Sequence, residues 1–309
     1  MKKPLIFLLG LVVLVSGCTG QDTTTLYEND IVIIRDLQAV PGVISPEQTV
    51  RIIANIQNKG NKPITASVDL FDHCEGLFPA KDIKPNCGGG QGTLGSTLCP
   101  NIELGAQETK QVDWVLKSKK IELKTVCPQD GMKVAVRYKT KTISLTTISF
   151  ITRAELERLI QSGGLKEIGS YRALGEGPVK PDVTVEDQQP ISIDAGITVI
   201  AFQVENHGSG FLAVKDAAQQ DAKPQVRLTK FDFGGLTPAG RPGDSCDVLQ
   251  AANPTGQPIS LIQKESSKYL CTISVPTTVQ TQETKTITTE IEYDYEFRKS
   301  VKVTVEPKI

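Results

Sequence analysis

Two histidines and one tryptophan in 309 residues leave little raw material for imidazole or metal chemistry. Neither sign of charge dominates, with 34 basic side chains against 35 acidic ones. The basic excess that a nucleic-acid binder uses to displace counterions is therefore missing. Aromatics make up only 5% of the chain and hydrophobic residues 39%, which argues against a polytopic membrane protein. Three further absences narrow the chemistry. No C-x-x-C pair offers the tight turn that pre-organises a zinc tetrahedron, no G-x-S-x-G elbow presents a serine nucleophile, and no G-x-G-x-x-G follows a buried strand. The one match, Gly90 to Gly95, comes after Cys87-Gly88-Gly89 and runs into Ser96 to Pro100 without a helix to meet a pyrophosphate. Its glycines suit a tightly turning loop.

What is present begins with an address. Lys2 and Lys3 precede an uncharged apolar run, Leu5 to Val15, that is too short to span a bilayer and has the layout of a secretory signal peptide. Val15-Ser16-Gly17-Cys18 then resembles the lipobox of secreted lipoproteins, which implies that Cys18 is lipidated and becomes the mature N-terminus. A leader cut elsewhere and an uncleaved apolar anchor are the other readings. Losing residues 1–17 removes Lys2 and Lys3, so the 34 basic side chains become 32 against 35 acidic. Thr19 to Thr25 is polar and reads as part of a tether over residues 18–27.

Seven cysteines become six once Cys18 is set aside, and an oxidising compartment makes disulfides the default. Cys246 and Cys271 are alone in the second half. The four in the first half allow three pairings. A strand ending at Cys74 and an opposed one beginning after Cys127 favour Cys74 with Cys127, leaving Cys87 with Cys99 as a local staple.

The apolar pattern has period two nearly throughout, as in Val50, Ile52, Ala54, Ile56 or Met132, Val134, Val136, Tyr138. Turn signals at Pro41-Gly42, Asn58 to Asn61 and Asp130-Gly131 divide it. The second half repeats the order of parts. Asp30 to Ile33 matches Asp182 to Val185, and the strand ending Asn58-Lys59-Gly60 matches the one ending Asn206-His207-Gly208. Each half closes with a tyrosine-bearing strand, a short turn and a final strand, Lys133–Lys139 then Thr142–Ile151, and Ile287–Phe297 then Ser300–Val305. In the strand after the first turn, Ile143, Leu145, Thr147 and Ser149 read as one face. This predicts an all-β chain of two tandem immunoglobulin-like sandwiches, residues 28–151 and 179–309, joined by residues 152–178.

The opening Asp-Val/Ile strand, the strand ending Asn-x-Gly and the closing hairpin after Leu104 to Glu108 resemble the CARDB-type immunoglobulin-like modules of exported prokaryotic proteins, many of them archaeal. The resemblance covers most of 28–151 and 179–309 and implies a fold more than a role. The chain departs from that pattern in its cysteines and in long inserts at 75–103 and 207–223.

Between the halves, Thr152 and Glu155 form a capping-box signature before Ala154, Leu156, Leu159 and Ile160, and Gly163-Gly164 stops the helix. It reads as a packed spacer, a lid or a partner-binding element. His73, crowded by Asp72 and Cys74, and His207, in a turn, are placed as surface or turn residues rather than bases. No catalytic, metal-ligating or cofactor-binding residue is assigned.

Two charged stripes stand out. Lys133, Arg137 and Lys139 take the outer face of one tyrosine-bearing strand, while Glu290, Glu292, Asp294 and Glu296 take that of the other. Such faces are ordinarily solvated and discourage edge pairing. Alternatively they dock one molecule's first domain on another's second, or orient the two domains within one chain. The reading of the whole is a non-enzymatic lipoprotein on the outer face of the cell membrane, held there by lipid at Cys18. Its role is binding, adhesion or envelope structure, and its partner another envelope protein or a surface ligand reached through the inserts at 75–103 and 207–258. A single contact face requires those inserts to share one surface. An accessory subunit of a membrane transport or secretion complex is the first alternative. A hydrolase on an all-β scaffold, whose two carboxylates need proximity only in space, is the second.

Overall fold

The computed structural model describes residues 27–90, 92–127, 130–164, 171–213, 224–253 and 256–307. The first half carries β1 (Val32–Val40), β2 (Val43–Ile44), β3 (Thr49–Asn58), β4 (Ile64–Asp72), β5 (Lys84–Cys87), β6 (Leu98–Leu104), β7 (Thr109–Lys117), β8 (Thr125–Val126) and β9 (Met132–Ile151). Helix α1 (Arg153–Ser162) follows. The second half carries β10 (Arg172–Leu174), β11 (Val179–Val185), β12 (Ile191–Ser192), β13 (Ile197–Asn206), β14 (Phe211–Leu212), β15 (Gln225–Asp232), β16 (Thr237–Pro238), a short α2 (Cys246–Gln250), β17 (Gln257–Ser260), β18 (Tyr269–Ser274), β19 (Gln282–Val301) and β20 (Thr304–Val305).

Two small sheets, β1-β3-β7-β5 and β11-β13-β18-β16, pack on one large sheet whose central order is β17-β15-β19-β9-β4-β6. Alternating burial drives each layer together. In β3, Val50, Ile52, Ala54 and Ile56 are all fully buried, and across the second sandwich Phe202 of β13 meets Phe231 of β15 edge-on at 5.5 Å. Trp114 of β7 is sealed in the first core, its indole N–H donating to the Thr97 carbonyl at 2.7 Å. The chain is thus all-β, with immunoglobulin-like sandwich packing.

The connection between the sandwiches differs from the closing hairpins that the sequence predicts. Residues 140–141 and 298–299 are not turns. β9 and β19 are each 20 residues long and pair antiparallel along their whole length, from Gln282 opposite Ile151 to Val301 opposite Met132. The first part of β9 pairs with β4 in the first sandwich, and its last part pairs with β10 and β12 in the second. β19 does the converse. It pairs with β15 in the second sandwich, runs on into the first, and continues to β20, which joins β2 and β8. Each half therefore lends its last strand to the other. The physical reason lies in Lys139-Thr140-Lys141-Thr142 and Phe297-Arg298-Lys299-Ser300. Neither contains the Gly, Asn or Asp that a two-residue hairpin needs for positive φ, and threonine favours extended backbone.

An uninterrupted strand also keeps its parity. Even-numbered residues of β9 point inward from Met132 through Tyr138 to Phe150, so Thr142, Ser144 and Thr146 are buried while Ile143 and Leu145 are 45% and 38% exposed. This inverts the face expected for 143–145, because a turn would have reset the alternation.

Helix α1 starts at Thr152, whose hydroxyl accepts from the Glu155 N–H, and ends at Gly163 with φ 71°. The capping box is only half formed. Thr152 N–H donates to the Thr281 carbonyl at 2.9 Å, and the Glu155 carboxylate instead binds Arg158 at 2.6 and 2.8 Å. No residue of α1 is buried, so the helix lies against the surface rather than in a core.

The candidate interaction surface

Strand pairing brings most of the two charged stripes into contact. Arg137, Lys139 and Lys141 of β9 stand opposite Glu296, Asp294 and Glu292 of β19. Arg137 and Arg298 both bind the Glu296 carboxylate, Lys139 binds Glu292, and Lys141 reaches Glu290 at 2.9 Å and Glu292 at 4.0 Å. Lys133 is not part of this ladder. It sits opposite Ser300 and pairs with Asp72 and Asp130 at 3.4 and 3.7 Å. Glu296 is only 4% exposed, so the acidic stripe is not wholly solvated. Hydrogen bonding to Lys141, helped by Thr229, holds Glu290 below the usual carboxylate range against the opposing effect of its partial burial.

Beneath the ladder, on the inner face, lies a band of hydroxyls. Tyr293 Oη lies 2.8 Å from Thr142 Oγ1 and accepts from the Val179 N–H at 3.3 Å. Tyr295 Oη accepts from the Gly210 N–H at 2.9 Å and donates to Asn206 Oδ1 at 3.2 Å. Burial pushes the Tyr293 phenol up to about 12 and drives Tyr138 and Tyr295 upward too, so all three stay protonated. The buried Asp30 carboxylate, ahead of β1, accepts from the Ser209 N–H and hydroxyl and so ties the first half to the turn after β13. A Cβ on Gly208 would strike both the Tyr295 hydroxyl and the Asp30 carboxylate, which is why this turn carries glycine.

Three disulfides join Cys74 to Cys127, Cys87 to Cys99 and Cys246 to Cys271. They mark a chain that folds in an oxidising compartment. Cys127 N–H donates to the Val303 carbonyl, so the first bridge braces the slot that receives the exchanged C-terminal strand. The glycine loop folds back on the second bridge: Gly92 N–H bonds the Pro85 carbonyl, and a Cβ there would meet Pro85 and the Cys87 sulfur. His207 is 3.2 Å from Glu205 at the surface. The ring nitrogens of His73 are buried and meet no hydrogen-bonding group among the described residues. No set of three His, Cys, Asp or Glu among the described residues is arranged to hold a metal, and none of the described helices is long and apolar enough to cross a membrane. Cys18 and residues 214–223 of the second insert lie outside the described residues.

Above the ladder, on the outer face of the first sandwich, opens a cleft of about 600 Å³. Its floor is Arg137, Lys139, Asp294, Glu296 and Arg298, and its walls are Thr65 to Ser67, Asn101 and Phe211 to Ala213. Asn101 belongs to the first insert and Phe211 to the second, so the two inserts meet here. A bulge in β4 between Ala66 and Val68 faces Asn101, which holds φ 53°. The Arg298 guanidinium lies between two rings, 5.1 Å from the centroid of Phe71 and 5.4 Å from that of Phe211. Sequence reading missed Lys141, Arg298 and Phe211. Lys141 continues the 137–139 alternation and was hidden by the supposed turn, while Phe71 and Phe211 meet at Arg298 only through strand exchange.

The fold and the cleft define an all-β protein of two interlocked immunoglobulin-like sandwiches with a polar groove where the inserts meet. No known protein family matches the chain, and no curated protein is similar to it. Among 64 matching chains of solved structures, one is an alkylpurine DNA glycosylase of Pseudomonas fluorescens, AlkC, bound to DNA containing an abasic site analog. It is 13% identical over 35% of this chain and 27% of that one, with a TM-score of 0.19. Red sea bream transglutaminase is 8% identical over 88% of this chain and 31% of that one, TM-score 0.15. The collagen adhesin of S. aureus is 9% identical over 87% and 82%, TM-score 0.11. This chain spans less than a third of the glycosylase and transglutaminase chains, and at such scores the likeness says nothing of what it binds.

Proposed function

We propose that this is an exported, CARDB-like lipoprotein, held on the outer face of the cell membrane by lipid on Cys18, whose role is binding or adhesion rather than catalysis. The observation that carries the reading is the meeting of the two inserts, through Asn101 and Phe211, on one cleft. The leader, the lipobox-like Val15 to Cys18 and the three disulfides support the location.

The test is the intact mass of the mature protein from membranes, with Cys18→Ser beside it. The reading expects an N-terminus at Cys18 carrying lipid, partition into detergent, and loss of both in the variant. An unmodified chain that stays in the aqueous phase overturns the anchor. Extraction in mild detergent then separates a free adhesin, which comes out alone, from an accessory subunit, which comes out with its complex.

A further inference from the structure

We infer that the cleft between the inserts is a binding site for an acidic glycan, a sugar chain bearing carboxylate or sulfate groups; this deepens the proposal of an exported binding protein and rests on it for access to such a ligand.

The charge of the cleft sets the ligand's sign. Three cations, Arg137, Lys139 and Arg298, line it against two acids, Asp294 and Glu296. Lys139 is neutralised by Glu292, whereas Glu296 is buried beneath two arginines and binds both, which fixes the guanidinium groups and leaves one positive charge in excess locally around that carboxylate. Each arginine binds Glu296 through Nε, and the terminal nitrogens of a guanidinium are the planar donors that recognise a carboxylate or sulfate.

The remaining lining sets the ligand's body. Phe211 is 57% exposed with Arg298 against its ring, a flat apolar platform of the kind on which the C–H face of a pyranose stacks. Around it stand groups that pair with hydroxyls, namely Thr65, Ser67, Asn101 and Asp294. An acidic peptide fits worse, since it has neither a C–H sugar face to lay on Phe211 nor a hydroxyl on each unit to pair with Thr65, Ser67 and Asn101. The volume of about 600 Å³ is within the usual size of small-ligand sites.

The experiment measures binding of the purified full-length protein in detergent to polygalacturonate, dextran sulfate, neutral dextran and polyglutamate at one ionic strength. The proposal expects at least one acidic polysaccharide to bind tenfold more tightly than both dextran and polyglutamate. Phe211→Ala should weaken that binding tenfold or more with an unchanged unfolding midpoint, Phe211→Trp should restore it, and Arg137→Gln should weaken it while Lys230→Gln, outside the cleft, does not. Polyglutamate binding as tightly as the acidic polysaccharides, indifference to Phe211→Ala, or no binding to either acidic polymer overturns the proposal. Lipidation of Cys18 plays no part in this assay, so an unanchored chain that still binds separates failure of the anchor from failure of the site.

Discussion

Ser144 Oγ lies 2.7 Å from Thr289 Oγ1, directly across the centre of the exchanged sheet, with both residues sealed from solvent. The charged ladder outside would tolerate a two-residue slip, because Lys139 and Lys141 already bind diagonally to Glu292 and Glu290. The hydroxyl pair would not, since a slip sets the Ser144 hydroxyl against Ile287 or Ile291. Thr289→Val should therefore lower stability by about 1–3 kcal/mol, leaving the Ser144 hydroxyl unmet, and Ser144→Ala added to it should recover part of that loss. Urea unfolding of the two single variants and the double variant checks this; strictly additive losses would contradict it.

Reciprocal exchange makes each half incomplete. Residues 27–151 alone lack the strand that β19 supplies, and residues 152–309 lack that from β9. Each fragment should stay largely unfolded, and the two refolded together should form a 1:1 complex with the parent's circular dichroism spectrum. Two independently cooperative fragments would show that the exchange is dispensable.

Lys141→Glu would place like charges opposite Glu292 and beside Glu290. A loss of about 1 kcal/mol is expected, shrinking as salt rises because these groups are partly exposed. Unfolding midpoints at low and high salt test it. Small-angle scattering of a variant with Glu292 and Asp294 both reversed should show no new oligomer if the stripes act within one chain.

Arg51 grips the buried Asp113 carboxylate with two 2.8 Å hydrogen bonds, and Asn86 adds a third at 3.1 Å. Burial alone would raise this carboxyl, but Arg51's hydrogen bonds and charge outweigh it and hold it below the ordinary value. A lowered folded pKa means stability present above the unfolded value near 4 and lost as pH falls below it. Asp113→Asn should flatten the acid limb of the stability–pH curve below about pH 4. An unchanged acid limb would remove Asp113 from the account.

The Cys246–Cys271 bridge closes 25 residues of the second sandwich. Replacing both cysteines by serine should cost about 2–4 kcal/mol through the unfolded chain's regained freedom, read as a lower denaturant midpoint that is insensitive to reductant.

The sequence alone was enough for the strands, the two-fold repeat, the even cysteine set and the helix at Thr152, because period-two burial, turn residues and caps are local properties. Even the inward face of β19 was legible, from Ile291, Tyr293, Tyr295 and Phe297. What could not be read locally was where β9 and β19 end. Whether residues 140–141 turn back or run on depends on which strand waits beyond them, and that partner comes from the other half of the chain. Tertiary pairing therefore decided three things together: the exchange of the last strands, the turning of Ser144 inward and Ile143 outward on β9, and the meeting of Asn101, Arg298 and Phe211 in one cleft. The physical reason is that alternation dictates which residues share a face, while only the long-range match of hydrogen bonds and buried hydroxyls between distant strands selects which faces meet.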